Sequence, residues 1–125
     1  MQHSPGVADL VVIEDDTATQ ALLAAVARRC GFTPRLASDG EQAIALILAH
    51  SPRAVILDLA LPRVCGLEVL RFMRRTNPKL LPCTIVIAAG ETPDDADLHH
   101  VRCVMRKPVS LDDLCLQLDG CGVDN

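Results

Sequence analysis

Residues 10–16 read Leu10-Val11-Val12-Ile13-Glu14-Asp15-Asp16, and residues 55–58 read Val55-Ile56-Leu57-Asp58. Each is a short apolar run, rich in β-branched side chains, that stops at an acid. Such runs are too short for helices and lack the polar alternation of a half-wet strand. They read as strands buried on both faces, the pattern of a parallel sheet. A third run at 85–89, Ile-Val-Ile-Ala-Ala, has the same character and ends at Gly90. Weaker strands fit at 33–37 and 101–105.

Helical spacing fills the intervals. In 18–30, Leu22, Leu23 and Val26 mark one face, and Gly31 is a stop signal. In 40–49, Ala43, Ile44, Ile47 and Leu48 do the same before Ser51-Pro52. In 67–75 the stripe is Leu67, Leu70 and Met73, ahead of Asn77-Pro78. Asp16 or Thr17 is placed to cap the first helix, and Ser110, with Asp113 three residues on, opens the last. Leu111, Leu114, Cys115 and Leu118 form its buried stripe. Five strands alternating with five helices predict a doubly wound α/β fold: a five-stranded parallel sheet in three α/β/α layers, with right-handed crossovers.

The chain has 125 residues, one domain's worth. The expected domain covers 9–119, with a flexible segment at 1–8, a short tail at 120–125 and no output domain. Aromatic residues are 2% of the chain, Phe32 and Phe72 alone, which argues against binding by base stacking or aromatic cages. The net charge of −4 disfavours a nucleic-acid partner. No apolar run approaches the roughly 18–20 residues of a membrane span, and residues 1–8 lack a signal-peptide start. A cytoplasmic location without membrane contact is expected. Six cysteines, at 30, 65, 83, 103, 115 and 121, include no C-x-x-C pair. They are expected to be free thiols acting as small hydrophobes, with Cys121 the most exposed. His99-His100-x-x-Cys103 offers metal-ligand types but reads better as polar residues beside a buried cysteine.

Ligands of parallel sheets bind at the carboxyl ends of the strands. There this sequence places Glu14 and Asp15, Asp58, and, after the fifth strand, Lys107. Carboxylates packed together need a cation. Hard oxygen ligands with one or two carboxylates suit Mg²⁺. A metal, a cationic lysine and a carboxylate able to act as nucleophile make half of a phosphoryl-transfer centre.

Over residues 9–118 the chain resembles the receiver domains of bacterial response regulators. The resemblance rests on the acidic pair Glu14-Asp15, on Asp58-x-x-x-Pro62-x-x-x-Gly66, and on Lys107-Pro108. It implies a flavodoxin-like fold with strand order 2-1-3-4-5 and a phosphoacceptor, Asp58, that takes its phosphoryl group from a histidine kinase or a histidine phosphotransfer protein. It also implies Mg²⁺ held by Asp15 and Asp58, by Glu14 through water and by the backbone carbonyl of Ala60. Lys107 would contact the phosphoryl group. Pro62 and Gly66 would shape the loop after the nucleophile, and a cis bond before Pro108 would aim Lys107 inward.

Two positions depart from the family. Its fourth strand usually ends in Thr or Ser; here Ala88 stands there, and Thr84 lies about 13 Å up the strand. Thr92, on the loop beyond, is a weak substitute. The family's switch aromatic, three residues before the lysine, is Val104. The segment from Ala88 to Lys107 is short, with a brief polar fourth helix. The resemblance implies phosphorylation with altered output to a downstream target protein, by contact or relay. The alternative is an interaction module of receiver fold independent of phosphorylation. Haloacid-dehalogenase-type hydrolases also use an aspartate after a strand, but they need a second acid where this chain has Ala60. Leu22 is a candidate contact for the histidine donor, and a core position for it fits equally. Asp97, His99, His100, Arg102, Asp112 and Asp113 read as a solvated face.

Overall fold

The computed structural model describes residues 8–61, 63–90 and 95–121. Pro62, Thr92 and most of the two terminal segments lie outside the described residues.

The strands are β1 (Ala8–Ile13), β2 (Phe32–Ala37), β3 (Ala54–Asp58), β4 (Thr84–Ala88) and β5 (Cys103–Arg106). All pairings are parallel, in the order β2-β1-β3-β4-β5. The helices are α1 (Thr17–Arg29), α2 (Gly40–His50), α3 (Gly66–Thr76), α4 (Asp95–Leu98) and α5 (Leu111–Asp119). A 3₁₀ segment, Pro78–Cys83, leads into β4 and was not anticipated from the sequence. Pro34 interrupts the donor row of β2, which is tolerable because β2 is an edge strand.

Period-two geometry divides the central runs between two cores. Leu10, Val12, Ile56, Ile85 and Ile87 pack with Leu23, Val26, Leu114 and Leu118 of α1 and α5. Val11, Ile13, Val55, Leu57 and Val86 pack with Ala43, Ile47, Val69, Leu70 and Met73 of α2 and α3. This is why the runs carry no polar alternation: both faces are dry. Each such side chain contributes about 1.5–3 kcal/mol by leaving water.

The helix ends follow the sequence signals. Asp16 caps α1, its Oδ2 accepting the Thr19 N–H at 2.9 Å. Ser110 caps α5 through the Asp113 N–H at 3.2 Å. The Lys107–Pro108 peptide is cis.

Three expectations are corrected. Leu22 is 49% exposed, and the buried face of α1 is Leu23, Ala24, Val26 and Ala27. Leu48 is likewise exposed, and Ala43 and Ile47 carry the contact of α2. In both helices the buried face is narrower than the apolar spacing predicts. Cys121 is neither free nor exposed: it is buried and disulfide-bonded to Cys83. It sits three residues beyond Leu118, to whose carbonyl its N–H donates at 2.9 Å, and so continues the buried face of α5.

Candidate functional site

The site forms where the two central strands end. β1 stops at Ile13, and Glu14 follows with its N–H donated to the Ala37 carbonyl at 3.0 Å. Its side chain is buried, with Oε2 accepting the Asp16 N–H at 3.1 Å. β3 ends in Asp58, which no solvent reaches. Asp15 stands exposed at the mouth. Carboxylate oxygens of Glu14, Asp15 and Asp58 lie within 4.8 Å of one another.

Lys107 arrives from the far side of the sheet. β5 pairs with β4, and the Lys107 N–H donates to the Ala88 carbonyl at 3.1 Å just past that ladder. Its Nζ donates to Asp58 Oδ2 at 2.7 Å and lies 3.9 Å from Glu14 Oε1. Asp58 Oδ1 accepts the Ala60 N–H at 2.9 Å. Both oxygens of the central acid are therefore oriented by donors, one from a side chain 49 residues away.

The electrostatics follow from this packing. Burial pushes Glu14 up to about 7; the neighbouring Asp58 carboxylate adds to the rise, and the Asp16 amide and Lys107 oppose it. The hydrogen bond to Asp58 raises Lys107 above its ordinary value, so the ammonium is secure at neutral pH. Asp16 is held below the usual carboxylate range by the hydroxyl and amide of Thr19.

A divalent cation fits this donor set. Glu14 Oε1 is buried and makes no hydrogen bond, a cost that a hard cation would remove. Three carboxylates within reach of one point, one of them exposed to admit waters, suit Mg²⁺.

The loop after Asp58 is shaped by Gly66. A Cβ there would lie 2.5 Å from Leu59 Cα and 2.8 Å from the Asp58 carbonyl oxygen, so only glycine lets α3 begin against the backbone of Asp58 and Leu59. Gly90, with φ of 85°, turns the chain after β4, and Arg106 donates to its carbonyl. Ala88 is buried at the end of β4, and Val104 packs, half-buried, against the α2–α3 core. Thr84 is spent elsewhere: its hydroxyl donates to the Leu80 carbonyl at 2.8 Å.

Sequence reasoning missed two features around the site. A cavity of about 220 Å³ beside Lys107 is lined by Thr19, Leu22, Val109 and Leu111; a concavity between a helix and a distant loop leaves no mark in the sequence. Asp97, read as solvated surface, is gripped by Arg71 through two bonds of 3.1 Å. Arg74 donates to the carbonyls of Asp97 and His99, each at 2.9 Å. The arginines were visible in the sequence, but a partner 26 residues away was not.

Comparison with known proteins agrees with this geometry. The family described as response regulator receiver domain matches residues 10–119. The probable methanogenesis regulatory protein FilR2 of Methanothrix harundinacea is 34% identical over 117 residues, covering 84% of this chain and 75% of that protein. Response regulator MprA of Mycolicibacterium vanbaalenii is 39% identical over 71 residues, covering 57% of this chain and 31% of that protein. Among solved structures, the receiver domain of Francisella response regulator 1452 superposes with a TM-score of 0.80 at 20% identity, covering 91% of this chain and 95% of that one. NtrX from Brucella abortus, in complex with ATP, gives 0.79 at 26%, covering 91% of this chain and 26% of that one. No helix among the described residues is long and apolar enough to cross a membrane. With an acidic cluster and a lysine assembled at the strand ends of a 2-1-3-4-5 sheet, and a family match over residues 10–119, the chain belongs to the response-regulator receiver domains of two-component signalling.

Proposed function

We propose that Asp58 is the phosphoacceptor of this receiver domain. The observation that carries the reading is the 2.7 Å contact of Lys107 Nζ with a fully buried Asp58, ringed by Glu14 and Asp15. A buried carboxylate whose oxygens are fixed by a lysine and a backbone amide is positioned for in-line attack. An Asp58 oxygen bonds to phosphorus as the P–N bond of a phosphohistidine breaks, and the histidine departs with the proton it takes up. Lys107 then shifts its bond from the carboxylate to a phosphoryl oxygen. Asp15, Asp58, the Ala60 carbonyl and, through water, Glu14 would hold Mg²⁺, which would supply charge neutralisation for the phosphoryl oxygens. The domain acts in the cytoplasm. It receives its phosphoryl group from a histidine kinase or phosphotransfer protein and passes the signal on by contact or relay.

Small groups at Ala60, Ala88 and Gly90 leave the phosphoryl group open to water, so the acyl phosphate is short-lived. A half-life of many hours with Mg²⁺ present would contradict this. The assignment of the acceptor is tested by incubating the protein with Mg²⁺ and a small acyl phosphate and reading intact mass: Asp58→Asn should abolish the adduct, and an undiminished adduct sinks it.

Ala88 and Val104 favour a second reading, a receiver fold that binds partners without switching. Neither a methyl group nor a valine can supply the hydroxyl and aromatic of the usual relay. Beryllofluoride separates the two: amide shifts spreading to α4 and β5 support a switch, and shifts confined to the acidic cluster support a constitutive module.

A further inference from the structure

Cys30 closes the C-terminal end of α1, and Cys115 lies on α5. Their Sγ atoms are 3.0 Å apart, although 85 positions separate them in sequence. That is closer than the roughly 3.5–4.0 Å at which non-bonded carbon atoms rest, and about one ångström from a disulfide bond. The two helices are fixed before any oxidation, because Leu23, Val26, Leu114 and Leu118 pack them on the same side of the sheet. Both cysteines are half-buried and so remain within reach of a small solute. The Asp119 carboxylate lies within 4.8 Å of both sulfurs, completing a set of metal-ligand types. The sulfur contact argues against a shared ion. Two thiolates on one tetrahedral zinc, at about 2.3 Å each, stand roughly 3.8 Å apart.

We propose that Cys30 and Cys115 form an oxidation site that closes a second disulfide, tying the end of α1 to α5, with a low-molecular-weight disulfide as the oxidant. One cysteine thiolate attacks the small disulfide and expels one thiolate. The other cysteine attacks the protein-side sulfur of the mixed disulfide and expels the second. The two thiol protons pass to the two departing thiolates, so a Cys30–Cys115 bond and two small thiols replace two cysteine thiols and one small disulfide. Burial, then Cys115 and Asp119, push the Cys30 thiol up to about 12, which keeps the pair slow at neutral pH and makes closure faster as pH rises. The site is separate from the phosphorylation chemistry: thirteen residues of α1 set Cys30 about 20 Å from the acidic cluster.

The test uses the full chain with oxidised glutathione at pH 8.5, then alkylation and mass spectrometry. Cys30, Cys65, Cys103 and Cys115 are the free thiols at the start. Alkylatable thiols should fall from four to two, dithiothreitol should raise the count to six because it also opens Cys83–Cys121, and the tryptic peptide 30–35 should appear linked to the C-terminal peptide that carries Cys115 and Cys121. Cys115→Ser should abolish that link and Cys121→Ser should keep it. Retention of four thiols, a link to Cys65 or Cys103, or a lasting glutathione adduct without the link would each overturn the proposal.

Discussion

Glu14 shows how burial sets the chemistry of one side chain. Its pKa rises from 4.5 to about 7 because the strand end takes it out of water. Folding therefore favours its protonated form. The penalty is absent below the unfolded value of 4.5, grows as pH rises to about 7, and is constant above that. It amounts to about 3 kcal/mol. In urea titrations with chelator at pH 8, Glu14→Gln should be more stable than the native chain, with the difference vanishing near pH 4; a less stable variant would contradict the account. Gly66 makes the opposite point. Gly66→Ala drives a methyl into the backbone of Leu59 and Asp58, and should cost about 1–3 kcal/mol while slowing phosphorylation. A variant matching the native chain in both urea midpoint and labelling rate would show that the backbone yields there. Asp58 and Lys107 could be read from sequence because each ends or follows a recognisable strand. The free Oε1 of Glu14 and the two donors on Asp58 could not, since they depend on three strands meeting.

β1, β3 and β4 were legible because residues dry on both sides leave uninterrupted apolar runs. The helix faces were less so. Leu22 and Leu48 fit the spacing of a buried stripe, yet packing covers their neighbours Leu23 and Ile47 instead, and a short period pattern does not contain that choice. The fourth helix is the extreme case. A single turn, Asp95–Leu98, has too few residues to hold itself, and α3 holds it from outside through Arg71 and Arg74. The Arg71 bond lowers the pKa of Asp97. Its stabilising effect is therefore present above the unfolded value of 3.8 and is lost as pH falls through the lower folded value. Arg71→Ala should speed amide hydrogen exchange in 95–101 several-fold at pH 7 while leaving β1 and β3 protected. Unchanged exchange there would mean that Arg74 suffices.

One disulfide ties the start of β4 to the end of α5. Cys83 ends the 3₁₀ segment just before β4, Cys121 follows α5, and 38 positions separate them. Closing a loop of that length stabilises by about 4 kcal/mol on the loop-entropy estimate. With Cys30 and Cys115 still thiols, Cys121→Ser should lower the urea midpoint and remove the destabilisation that dithiothreitol causes by opening Cys83–Cys121; an unchanged midpoint would contradict that contribution. The partnership was illegible because cysteine spacing says nothing about which helix face reaches which strand. The α/β class followed from the alternation of apolar runs and helical stripes, the edge that carries the acids from the strand ends, and the strand order from the family resemblance. The proposed function turns on Asp58. The decisive measurement is the intact mass of the protein after exposure to Mg²⁺ and a small acyl phosphate, with the modified residue located by fragmentation. One phosphoryl group on Asp58, absent from Asp58→Asn and much reduced in Lys107→Ala, is the predicted result. A phosphoryl group elsewhere, or none under conditions where beryllofluoride binds, would contradict it.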